Sequence, residues 1–212
     1  MVADIFKFPQ VMGSQDVYKR QQDLSQQFGA EVNFLGKLIP FISCMLIGMG
    51  TTTSSSLSLE GKNMWILQTL PVPPITVFNS KIGVSLTTTV PAVLVSGILF
   101  IISGYLDIAG ALFVFITPIA FAVFMSNFGL LLNYYNLNLE WKNEITVIKQ
   151  SMPTMVTVFV GMLGIMILLP LIMIMPSMAA LLFTAGFTVV ALVFAFIIQM
   201  ILAKKPLVKN AD

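Results

Sequence analysis

From Gln150 to Ala203 the chain carries no Asp, Glu, Lys or Arg, and from Ile82 to Leu139 it carries only Asp107. A water-soluble domain cannot hide stretches of that length, because charged side chains are what normally cover its outside. A bilayer removes the difficulty: its hydrocarbon core, about 30 Å thick, is crossed by about 20 mostly apolar residues in helical form. Composition points the same way. The 212 residues are 57% hydrophobic and 9% charged, against about 45–50% and about 25% in an ordinary soluble domain, and the mean hydropathy is +0.94.

Five segments are long and apolar enough to span, roughly Phe34–Thr52, Ile82–Gly104, Ala109–Tyr135, Thr154–Met175 and Met178–Ala203. In hydrocarbon every backbone N–H and C=O must find its partner within the protein, which leaves helices and closed barrels. These runs are continuously apolar and do not alternate, so the expected fold is all-α, a polytopic transmembrane helical bundle with extra helices at one membrane surface.

The cations give the orientation. Lys62 and Lys81 fall between spans one and two, Lys142 and Lys149 between three and four, and Lys204, Lys205 and Lys209 after five. All lie on one side, while the opposite connections, Tyr105–Ile108 and Pro176–Ser177, carry only Asp107. Because cytoplasmic loops are rich in Lys and Arg, both long loops and the C-terminus are expected in the cytoplasm of a multi-pass plasma-membrane protein. Lys7, Lys19 and Arg20 then precede a span that starts outside, against the rule. Either upstream spans are missing or the leader is not native. The run Asp16-Val17-Tyr18-Lys19-Arg20-Gln21 is similar to a peptide translated from a sequencing adapter at a broken fragment end; an ordinary polar leader is the alternative. Residues 1–21 are therefore set apart from a membrane region over 22–212, and with no apolar run in residues 1–30 a cleaved secretory signal is not expected.

The inventory of reactive side chains excludes several functions. Without histidine the commonest general base and metal ligand is gone. The single Cys44 can form neither an internal disulfide nor a thiolate cluster. A zinc site and a Ser-His-Asp hydrolase are thus excluded, no catalytic, metal or cofactor site is expected, and a net charge of +2 gives no reason to expect nucleic-acid binding. Gly61-Lys62 resembles the end of a phosphate-binding loop, but Ser56 stands where its first glycine belongs and Asn63 where Ser or Thr must follow the lysine.

The first long loop, about Thr53–Lys81, is too structured for a plain connector. Its hydroxyl run Thr51–Ser56 can cap a helix start, and Leu57–Leu70 mixes apolar residues, a few charges and Trp65 as a helix at headgroup level does. Pro71-Val72-Pro73-Pro74 ends that helix, and Pro74 can open the next, a short one over Ile75–Lys81. The second loop, Asn136–Gln150, places Trp141 and mixed charges at the same surface; Glu140 and Glu144, four apart, read as a solvated helix face.

Within the spans, Lys37 is the one charge, near the outer end of span one, and is expected to snorkel to the interface. Thr87, Thr88, Thr89, Ser126, Asn127 and Asn133 can hydrogen-bond between helices. Pro91, Pro118 and Pro170 should kink their spans, and Met155, Met162, Met166, Met173 and Met175 fill gaps softly.

Two segments, Ser58–Pro74 with the pattern S-x-E-G-K-x-x-W-x-L-x-x-L-P and Leu139–Ser151 with W-x-N-E-x-x-x-x-K-Q, resemble the ABC-2 type exporter permeases of Gram-positive bacteria. Both appear in order, the first after a span and the second after two more. Gln68 and Pro73 depart from the pattern, where a basic and a small polar residue are expected. The resemblance implies a transport subunit that is not itself an enzyme and binds no cofactor. Its partners would be a separate cytoplasmic ABC ATPase, the lipid bilayer, and a missing N-terminal half or a second permease copy. Glu60, Gly61, Lys62, Trp65, Leu70, Pro71 and Pro74 would form the ATPase-coupling loop, with Trp141, Asn143, Glu144, Lys149 and Gln150 in the second cytoplasmic loop. Such permeases are usually longer, so the chain resembles a C-terminal portion. A secondary transporter or channel not driven by ATP is the alternative.

Overall fold

The computed structural model describes residues 36–50, 52–69, 71–102, 108–139 and 151–207. Among the described residues there is no strand. The leader 1–21 and the segment Glu140–Gln150 lie outside them. Helix α1 covers residues 36–49 and is followed, after a break at Gly50, by the single turn α2, Thr53–Ser56. A 3-10 segment, Ser58–Asn63, leads into α3, Met64–Thr69. Four long helices complete the chain: α4, Pro74–Ile102; α5, Ile108–Tyr135; α6, Met152–Ile174; and α7, Ser177–Ala203. Five stretches are long and apolar enough to cross a membrane, Gly36–Gly61, Pro74–Ile102, Gly110–Tyr135, Met152–Ile174 and Ser177–Ala203, so the fold is an all-α polytopic bundle.

Local chemistry sets the helix starts. At α6 the Ser151 hydroxyl accepts from the Thr154 N–H at 3.4 Å, and Pro153 occupies the first turn, where a missing N–H leaves no bond unmade. Pro74 opens α4 in the same way. The separate short helix expected over Ile75–Lys81 is instead the beginning of α4. With 29 residues α4 is about 43 Å long at 1.5 Å per residue, about two turns more than a hydrocarbon core of about 30 Å requires. Pro91, Pro118 and Pro170 all lie inside unbroken helices.

Helix α5 is the centre of the bundle. Half of its span is buried, as is 53% of the first, Gly36–Gly61, against 17% for α4, 22% for α6 and 28% for α7, whose outer faces are apolar and open. It packs on α4, α7, α6 and the turn α2. The bundle has two ends. At the hairpin end α6 and α7 are joined through Met175 and Pro176; at the other, the loop end, the long connections emerge. One apolar core joins Leu38, Phe41 and Cys44 of α1 to Phe121 and Met125 of α5 and Ile165 and Ile172 of α6. A second core at the loop end gathers Leu57, Met64, Phe78, Leu130, Tyr134, Leu202 and Leu207. Phe124 packs against both, within a row of rings on α5 in which Phe121–Phe124 and Phe124–Phe128 centroids lie 6.0 and 5.8 Å apart.

Without a hydrophobic drive between helices in lipid, close backbone approach and hydrogen bonds must supply the attraction. Both are present. At Gly48 and Gly161 the backbones of α1 and α6 touch: a Cβ on Gly161 would stand 2.7 Å from the Gly48 Cα and 2.7 Å from the Met125 Cε. Ser126 donates to Ser85 at 3.0 Å across α5–α4, and the Thr117 and Thr188 hydroxyls meet at 2.9 Å across α5–α7. By contrast, Thr87, Thr88 and Thr89 do not bridge helices; each donates to the carbonyl four residues back. Asn127 likewise donates to Val123 O in its own helix. Lys37 has a specific partner: its Nζ donates at 3.2 Å to the Met175 carbonyl, which follows the last turn of α6 and has no helical donor of its own.

Candidate functional site

The loop end holds the segment that the sequence singles out. Its first part is not a loop. Thr53, Ser54, Ser55, Leu57 and Ser58 are buried, packed against α5. Two hydroxyls of the run find acceptors, Ser56 in Thr53 O at 3.0 Å and Ser54 in the Thr154 hydroxyl of α6 at 3.3 Å, whereas the buried Thr53 Oγ1 has no hydrogen-bond partner among the described residues. No side-chain cap is made at Thr52, so the expected helix-capping role of the run is replaced by burial. Close packing there requires Gly129, where a Cβ would lie 2.9 Å from the Thr53 Oγ1.

Where the helical path breaks, α5 supplies what the broken backbone lacks. The Asn133 Oδ1 accepts from the Leu57 and Ser58 N–H groups at 2.9 and 3.1 Å, and its Nδ2 donates to the Ser58 hydroxyl at 2.9 Å. Ser58 Oγ in turn accepts from the Asn138 N–H at 3.2 Å, just past the end of α5. Asn133 is fully buried, so each of these bonds is shielded from water.

Beyond this node the chain turns sharply. Gly61 adopts φ 50° and ψ −126°, a conformation that a residue with a Cβ enters only under strain. The turn separates the clamped start of the 3-10 segment from α3. The single helix expected over Leu57–Leu70 is thus an elbow of two short pieces. On one side Met64 buries itself in the loop-end core; on the other Trp65 is 61% exposed, with Ile66 and Val72 also open. Glu60 pairs with Lys81 of α4, bracing the elbow against the second span.

The residues singled out by the sequence are thus distributed unevenly. Glu60, Gly61, Lys62, Trp65, Pro71 and Pro74 lie along one elbow, with Lys62 in the 3-10 segment, Pro71 exposed in the turn and Pro74 opening α4. Leu70 falls outside the described residues, as do Trp141, Asn143, Glu144, Lys149 and Gln150. Sequence reasoning missed three contributors. Asn133 was read only as a span residue able to bond between helices. Lys81 was counted as a cation rather than as the partner of Glu60, although two opposite charges flanking one apolar loop are a usable signal. Leu207, after Pro206, turns back into the loop-end core, while the Lys205 ammonium stands 5.5 Å from the centre of the Tyr135 ring.

Among the described residues no group of His, Cys, Asp or Glu could hold a metal ion, and Glu60 is engaged by Lys81. The elbow is a partly apolar segment tied to α4 by Glu60–Lys81 and to α5 by Asn133, carrying an exposed tryptophan. Compared with family models, with curated proteins and with solved structures, the chain matches none.

Proposed function

We propose that the chain is the membrane-spanning permease subunit of an ATP-driven exporter of the ABC-2 type, and that the elbow from Glu60 to Pro74 is where a separate cytoplasmic ATPase acts on it. The observation that carries this reading is the construction of the elbow: a fixed projection braced to α4 by Glu60–Lys81, held to α5 by Asn133, and presenting Trp65 outward. A projection fixed at two points passes a push on its tip to both helices, as a coupling element must. The chain has no phosphate-binding loop of its own, with Ser56 and Asn63 at the positions that would define one, which is consistent with ATP being hydrolysed on the partner. In this reading the loop end faces the cytoplasm, in keeping with Lys204 and Lys205 beside it, and the permease is completed by further spans or a second copy.

The test uses the permease expressed with a candidate cytoplasmic ABC ATPase. Glu60→Lys and Lys62→Glu combined with Trp65→Ala should abolish co-purification of the ATPase while the permease still reaches the membrane. Unchanged association overturns the assignment. Transport in vesicles that follows an ion gradient and ignores ATP depletion would place the chain among secondary transporters or channels.

A further inference from the structure

The two segments that leave the loop end, the elbow and the start of the second loop, are tied to each other and not only to the bundle. Ser58 is the knot. Its hydroxyl takes the Asn133 Nδ2–H from α5 and the Asn138 N–H from the chain leaving α5, while its own backbone N–H is held by the Asn133 Oδ1. Apolar packing repeats the connection: Leu67 of α3 and Leu137 and Leu139 beyond α5 all lie against the core that holds Leu57, Met64 and Tyr134. Leu207, past the end of α7, is buried in that same core. The elbow, the chain leaving α5 and the chain leaving α7 therefore share one small interior, in which the start of α6 takes no part.

We propose that the elbow, the start of the second loop and the segment after α7 form a single rigid docking platform, fastened at Asn133 and Ser58, so that a partner engaging either loop displaces both together. The identity of the partner rests on the function proposed above; the rigidity of the platform does not. Asn133 is a positioning residue here: it touches no partner, and acts by holding the elbow and residues 136–139 in one fixed relation. A buried side chain that satisfies two backbone N–H groups and a hydroxyl has no water to replace it when it is lost, so its removal frees the segments that it holds.

The test is amide hydrogen exchange of the chain in lipid nanodiscs, compared across three variants. Asn133→Leu should speed exchange by about tenfold in both residues 57–69 and 136–139, with the amides of α6 unchanged. Asn133→Asp keeps the two amide acceptors but loses the Nδ2–H donor to Ser58, so its exchange should fall between that of the parent and that of Asn133→Leu. Ser58→Ala should release residues 136–139 while the Leu57 amide stays slow. The proposal is overturned if Asn133→Leu affects residues 57 and 58 alone, or if Ser58→Ala leaves 136–139 protected; should Asn133→Leu fail to fold, the other two variants decide. A second measurement, retention of the ATPase, separates this inference from the function it builds on. If the unaltered permease retains no ATPase, the function proposal fails and the exchange result stands. If a folded Asn133→Leu variant retains it as well as the parent does, the platform has no role in docking.

Discussion

Replacing Gly161 by alanine tests whether the α1–α6 contact is as close as the backbone geometry requires. The added Cβ would stand 2.7 Å from the Gly48 Cα and from the Met125 Cε, whereas carbon atoms are most stable at about 3.5–4.0 Å. Met125 can swing its terminal methyl away; the Gly48 backbone cannot. The two helices must therefore part by about 1 Å, a gap that forfeits a quarter to a half of each dispersion contact along the seam. Overpacking of this kind costs about 1–3 kcal/mol. Against it stands the better helix propensity of alanine, up to about 1 kcal/mol, leaving a net loss of up to about 2 kcal/mol when that offset is full. Gly164, one turn along the same helix, has nothing within 4 Å of an added Cβ, so Gly164→Ala should stabilise by up to about 1 kcal/mol. Reversible unfolding in mixed micelles, followed by circular dichroism, measures both. If the two variants shift stability in the same direction, the close approach is refuted.

Two further outcomes follow from the packing. Gly61→Ala forces a Cβ into φ 50° and ψ −126° and should cost about 1–3 kcal/mol, read as a lowered denaturation midpoint; an unchanged midpoint means that the elbow does not turn there. For the Thr117–Thr188 hydroxyl pair, at 2.9 Å across α5 and α7, a double-mutant cycle with valine at each position should return a coupling of about 0.6 kcal/mol, the average for such bonds in membranes, and a coupling indistinguishable from zero argues against the pairing.

The sequence carried the bundle plainly and the elbow only in part. Long charge-free runs can be nothing but spans, so five helices were legible without a structure. Their ends were harder. Thr53–Ser58 reads as surface because hydroxyls count as polar, yet Ser54 and Ser56 find acceptors in Thr154 and Thr53 and the segment is buried. Pro74 was legible as a helix start because proline fits the first turn. No local rule could have linked Asn133 to Leu57, since the bond joins residues 76 apart. The same holds for Gly48 and Gly161, whose contact is a property of two helices together. Gly61 was noticed for its place in a motif, whereas its physical reason is a backbone angle.

Phe124 gives the bundle a property that neither core has alone. Its partly buried ring packs against the interior at the hairpin end and the interior at the loop end, tilted at 45° to Phe121 on one side and stacked on Phe128 on the other. Loosening of one interior strips contacts from the ring and so weakens its hold on the other, which couples the two ends of the bundle through a single side chain.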